Sequence, residues 1–202
     1  MKNINLVKEV IFIKLIDVKK STTYLRTTLL IIILVGFITF MIHPDLKSII
    51  ESTPTLTSTP NKLVKLMQYI INNGLKVPFS MLVLALIPVP YIYFFNIFLS
   101  ATLGGVVFGA VLSYSISTGL NLIVASIPHS IIELTAFCIW ASSLYYLNLW
   151  IRNKLHKRAI NTTFWFELKR CVLHYIRYVL PLIIIAACLE TFLTDKILNL
   201  LN

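Results

Sequence analysis

The sequence predicts an all-α membrane protein: a polytopic bundle of about five transmembrane helices with interfacial amphipathic helices beside them. Three observations carry this expectation. The mean hydropathy is +0.84 and 57% of the residues are hydrophobic, values that soluble domains do not reach. Residues 77–132 contain no Lys, Arg, Asp or Glu. A bilayer accommodates such a run because each helical crossing takes about 20 apolar residues. The net charge of +10 is concentrated in two blocks that flank apolar stretches. That is the positive-inside pattern; it points to anionic lipid and away from nucleic acid.

The length of 202 residues fits one domain. Residues 1–26 are expected to form a cytoplasmic basic amphipathic segment, and 27–202 a single membrane domain. In the first segment Ile4, Val7, Ile11, Leu15 and Val18 recur at helical spacing, with Lys8, Lys14, Lys19 and Lys20 on the polar side. A helix lying on the membrane and one packed on protein both fit. The first span covers 27–42. No small-residue cleavage site follows it, so it is expected to stay in the mature protein. The external loop 43–76 contains a Ser/Thr/Pro linker at 51–60. Beyond the linker, Leu63, Leu66, Met67 and Ile70 have helical spacing.

The second span, 78–99, should kink or break at Pro88 and Pro90, with Asn96 placed to satisfy freed backbone groups. A turn at 100–104 leads to the third span, 105–124. There Gly105, Gly109 and Ser113 recur every four residues, a smooth face for close helix packing in lipid. The alternative is that Gly105 belongs to the turn and the stripe is chance. The fourth span, 128–150, opens with Pro128, which the first turn of a helix tolerates, and Ser126 can cap it. The segment 152–177 is strongly basic. Phe164, Leu168, Val172 and Tyr175 form an apolar stripe and Arg170, His174 and Arg177 a basic one. This predicts a cytoplasmic helix whose Arg170, His174 and Arg177 contact anionic lipid. The fifth span is 178–193.

Topology follows from counting. Residues 1–26 and 152–177 hold thirteen of the eighteen Lys and Arg residues. A cytoplasmic N-terminus places both blocks inside, and five crossings put the C-terminus outside. Cys138, Cys171 and Cys188 form no CxxC. Their odd number argues against a disulfide framework, so they are expected to be small core residues.

His129 and Glu133 stand at i and i+4, on one helix face. The inferred topology brings Glu190 to a similar depth, near the outer surface. Ionisable groups inside spans are costly and mark function or pairing. Three readings of His129, Glu133 and Glu190 stand open: a polar lock between helices, a substrate, ion or proton contact, and a hydrolase site. One His and two carboxylates make a poor zinc set, and there is no HExxH. There is also no GxSxG, GxxxxGK[ST] or GxGxxG motif. No catalytic residue, metal or cofactor is therefore assigned, and an ATP-driven role would need a separate ATPase.

Three elements occur in order. Gly105-Val106-Val107-Phe108-Gly109 is followed by Pro128-His129-Ser130-Ile131-Ile132-Glu133, then by Ala186-Ala187-Cys188-Leu189-Glu190. Together they resemble the stage II sporulation protein M family, whose members show an Asn-Gly…Gly element, a Pro-His-Gly…Glu element and a late Ala-Ala…Glu element. Here Gly104 replaces the Asn and Ser130 the Gly after Pro-His. The resemblance covers about 79–194. It implies a membrane scaffold whose namesake helps recruit cell-wall hydrolases during spore engulfment. Relatives stand beside exporters and in gene sets for circular antimicrobial peptides. The expectation is thus an accessory subunit of a cell-envelope complex, or of a peptide export, immunity or maturation complex, in a bacterial cell membrane. Its partners would be an ATPase-containing exporter or a cell-wall hydrolase, and a secreted peptide. An intramembrane peptide-processing hydrolase and an ion- or proton-coupled transporter are the alternatives.

Overall fold

The structure is a computed structural model that describes residues 17–44 and 61–201. The expected amphipathic helix near the N-terminus, apart from its end, and the linker at 51–60 lie outside the described residues. Among those described there are helices and no strands.

Helix α1 spans Val18–Ile42. It begins well before residue 27, where the first span was expected. Asp17 caps it by accepting from the Lys20 backbone N–H at 3.0 Å. Thr22, Thr23 and Thr27 return their hydroxyls to carbonyls three or four residues back, so this polar stretch stays helical. The helix stops at His43 in the left-handed conformation, φ 47°.

The next pass is built from α2 (Lys62–Tyr69), a π-helical stretch (Ile70–Lys76) and α3 (Val77–Ala85). Asn61 caps it, accepting from Leu63 N–H at 2.9 Å. Much of the expected external loop is therefore helix. Pro78 has no N–H for the carbonyl of Gly74 four residues back, and the Tyr175 hydroxyl donates to that carbonyl instead. Pro88 and Pro90 end this pass outright rather than kinking it. A short connection leads through Tyr91, itself left-handed at φ 62°, into a 3-10 turn (Ile92–Phe94) and then α4 (Phe95–Tyr114).

The turn expected at 100–104 lies inside α4. The break falls at Ser115, which is extended and accepts from Thr118 N–H at 3.3 Å to cap α5 (Ile116–Leu155). This 40-residue helix is about 60 Å long at 1.5 Å per residue. Pro128 sits within it rather than opening it. Prolines are compatible with membrane helices when neighbouring helices support the backbone, and Gly is more common there than in soluble helices. Gly104-Gly105 and Pro128 are helix interior, which displaces the third and fourth spans from their expected limits, and the break at Pro88 and Pro90 displaces the second.

After residues 156–163, Thr163 caps α6 (Phe164–His174). A second π stretch (Tyr175–Val179) joins it to α7 (Leu180–Phe192). Helix α8 (Thr194–Leu201) closes the described chain. Each π stretch directly precedes a helix with Pro in its first turn, Pro78 or Pro181.

Among the described residues, four helices are long and apolar enough to cross a membrane: Val18–Ile42, Ile92–Tyr114, Ile116–Leu155 and Phe164–Phe192. The 62–85 pass carries Lys62, Lys65 and Lys76 and is interrupted by its π stretch, yet it runs the length of the bundle. Tyr69 meets Glu190 at one end and Ala85 meets Asn148 at the other. Between them the Trp140 indole donates to the Pro78 carbonyl at 3.0 Å. Around that bond, Met81, Ala85, Ile97, Phe137, Trp140 and Ile183 form the buried core.

Helices α1 and α4 run parallel and touch backbone to backbone. A Cβ on Gly105 would lie 2.8 Å from the Ile32 carbonyl and 2.9 Å from Val35 Cβ. One on Gly109 would strike the Gly36 carbonyl and Thr39. Ser113 donates to Ala110 O within its own helix. Outside this seam Leu30, Ile33, Leu34 and Phe37 of α1 and Leu103 of α4 are exposed, the apolar exterior a membrane bundle presents to lipid. The α1 start pairs with the second half of α5 through Ser21 and Ser142, 3.1 Å apart. Lys19 and Lys20 consequently share one end of the bundle with the Arg152–Arg158 region.

Candidate functional site

The end opposite the basic residues gathers three short i,i+4 pairs from three passes. Helix α5 supplies His129 and Glu133. The α7–α8 junction supplies Glu190 and Thr194. The α2 pass supplies Tyr69 and Asn73. Each pair lies on one face of its own helix, and the three faces meet.

His129 Nδ1 stands 2.7 Å from Glu190 Oε2. Thr194 donates to that same carboxylate oxygen at 3.1 Å, and its hydroxyl also lies 3.3 Å from His129 Nδ1. Tyr69 donates to the other oxygen, Oε1, at 3.0 Å. On the far side of the ring, His129 Nε2 is 3.3 Å from the Ser130 hydroxyl. Glu133, one turn along α5, faces the Asn73 side chain. Charge-assisted bonds of this kind are the strong ones. The His129 and Glu190 side chains are 16% and 18% exposed, so the site is mostly enclosed and still reachable.

Of the predicted residues, His129, Glu133 and Glu190 come together here. Tyr69, Asn73 and Thr194 were not anticipated. Their signal was present as the same i,i+4 spacing, with Thr194 four residues after Glu190 and Asn73 four after Tyr69. Neutral side chains do not stand out as a lone Glu does. Among the described residues, no group of three or more His, Cys, Asp or Glu side chains is arranged to hold a metal ion.

The expected basic stripe is a correction. Arg170 and His174 are buried, 4% and 5% exposed, and only Arg177 is exposed. Arg170 pairs with Glu167 at 2.8 Å and lays its guanidinium 4.3 Å from the Tyr146 ring centroid. His174 Nδ1 is 2.9 Å from the Ser143 hydroxyl on α5. Both lie on the face of α6 that packs against α5, because Glu167, Arg170, Cys171 and His174 share that face. Cys171 and Cys138 are buried core residues, and Cys188 is partly buried.

The sequence model of stage II sporulation protein M matches residues 26–195. The chain belongs to the stage II sporulation protein M family. No curated protein and no solved structure matches it. The family match spans the Pro128-His129 element and ends one residue past Thr194. It therefore includes all six cluster residues of this stage II sporulation protein M family member.

Proposed function

We propose that this protein is a non-catalytic scaffold or accessory subunit of a membrane complex that serves the cell envelope or the export, maturation or immunity of a secreted peptide. One observation carries the reading. Both oxygens of Glu190 and Nδ1 of His129 have partners within the cluster, and Nε2 of His129 has the adjoining Ser130 hydroxyl. The groups that look chemical thus tie α2, α5, α7 and α8 together. A helix lock of this kind fixes the shape of a surface, and scaffolding needs a fixed surface. Its partner would be an ATPase-bearing exporter or a cell-wall hydrolase. Family membership supports the setting.

Glu133→Gln tests it. The amide keeps hydrogen-bonding capacity toward Asn73 but cannot take up and release a proton near neutral pH. A scaffold keeps its folded yield and its complementing activity in a deletion strain. Loss of activity at normal yield overturns the scaffold reading in favour of a proton relay or hydrolytic base.

The same proposal includes a cytoplasmic N-terminus and an external C-terminus. It is supported by Lys19 and Lys20 at the start of α1 lying at the same end of the bundle as the Arg152–Arg158 region. Single Cys residues in a Cys-free background report it. Position 157 should be shielded from an impermeant maleimide and position 200 labelled. The reverse pattern overturns the orientation.

A further inference from the structure

At the basic end, a 680 Å³ groove opens sideways between the first turns of α1, the Tyr91 connection and α5. Lys19, Lys20, Thr23 and Tyr24 line it along α1, with Tyr91, Phe94 and Tyr145 opposite. We propose that this groove binds the phosphodiester headgroup of an anionic phospholipid, with the acyl chains continuing down the exposed face of α1.

Charge favours an anion. Asp17 also lines the groove, but Lys20 Nζ neutralises it at 3.1 Å. Lys20 is in addition held over the Tyr145 ring, 4.5 Å from its centroid. Lys19 is exposed at the rim and leaves the groove with one net positive charge. The Thr23 hydroxyl stands one turn further along.

Geometry favours a lipid over a free anion. Immediately beyond Thr27, which also lines the groove, the exposed face of α1 becomes Leu30, Ile33, Leu34 and Phe37. A ligand lying here meets cationic groups at one end and a continuous apolar track at the other, the polarity of a phospholipid. Basic pockets between membrane helices bind anionic headgroups in this way. The volume lies in the range of small-molecule sites, about 300–1,000 Å³. The wall is built rather than incidental. Tyr91 holds a left-handed φ of 62°, which is costly for a large side chain. That conformation seats its ring against Tyr145, with centroids 6.3 Å apart.

The test is thermal unfolding of detergent-purified full-length protein with added phosphatidylglycerol, phosphatidylcholine or inorganic phosphate. Phosphatidylglycerol should raise Tm by about 3 °C or more at saturation, and the other two should not. Lys19→Glu should abolish the rise while Lys19→Arg retains it. Lys196→Glu, an equal charge change at the opposite end, should leave it intact. If Lys19→Glu does not fold, Lys19→Gln replaces it, with the rise expected to fall by at least half. Equal shifts from both lipids overturn the proposal, as does an equal loss in Lys196→Glu. A full shift from inorganic phosphate alone overturns the lipid as occupant.

Discussion

The two ends of this bundle solve the same problem in opposite ways. Each must hold ionisable groups among apolar helices. At the basic end Glu167 and Arg170 sit on one helix three residues apart, with side chains 7% and 5% exposed, sealed beneath the Tyr146 ring. At the other end His129 and Glu190 come from different helices and are about three times as exposed. The sealed pair shapes a single helix face. The open pair joins helices distant in sequence. Sealing makes a pair structural, whereas joining with access leaves room for a partner or a proton to be felt.

Between the two ends lies the seam of α1 on α4, and the largest expected effect lies there. Gly109→Leu would drive a side chain into the Gly36 carbonyl and Thr39. The parallel contact must then open, and folded yield should collapse. Gly109→Ala should also lower yield, but less, because a single methyl needs a smaller displacement. Fluorescence-detected size-exclusion chromatography checks both. A monodisperse Gly109→Leu at wild-type Tm would mean that the α1–α4 contact is not as close as described.

Arg170→Ala comes next and targets the sealed end. It leaves Glu167 buried without its partner, and breaking a buried pair in this way costs about 3–5 kcal/mol. Restoring neutrality with Glu167→Gln in the Arg170→Ala background should recover part of that loss. Denaturant titration of the three variants in one detergent gives the coupling. Independent, additive losses would show that the pair is not sealed as described.

At the open end, Tyr69→Phe removes one hydrogen bond to Glu190 Oε1 while keeping the ring. Partial access to water replaces some of what is lost. The expected cost is therefore about 1 kcal/mol, the low side for a bond to a charged group. A loss as large as that of Arg170→Ala would place the two ends in the same class and erase the contrast drawn between them.

This contrast also explains what the sequence disclosed. The all-helical membrane class, the family and the convergence of His129, Glu133 and Glu190 were legible, because charges that interrupt apolar sequence announce themselves. The same logic misplaced Arg170 and His174. A basic stripe on a helix looks the same whether it faces anionic lipid or a partner helix that supplies Ser143 and Tyr146. Only the packing of α6 on α5 distinguishes the two, and that packing is tertiary. Helix limits failed for a related reason. Gly104-Gly105, Pro128 and the threonines of α1 look like breaks under rules learned in water. In a bundle, close approach and hydroxyl bonds to the backbone convert them into helix interior. The break at Ser115 rests on a single cap that no composition shift announces.

The smallest effect belongs to Asp17, which anchors the start of α1 at the sealed end. Burial works to raise its pKa. The Tyr146 hydroxyl, donating at 2.5 Å, and the backbone and ammonium of Lys20 outweigh burial and hold the carboxyl below its usual range. A depressed carboxylate contributes stability that is fully present above its unfolded pKa and is lost as pH falls through the folded one. Wild-type stability should therefore carry an acid-side decline that Asp17→Asn lacks. The group is near the surface, so its charge contributes less than about 1 kcal/mol. Asp17→Asn should keep the cap, since Asn serves that position as well as Asp, whereas Asp17→Ala loses the cap too, at about 1 kcal/mol. Melting curves of the three proteins between neutral pH and the carboxylate range separate charge from cap. Parallel acid declines in wild type and Asp17→Asn would show that the charge does nothing for the fold, leaving the cap as the sole role of Asp17.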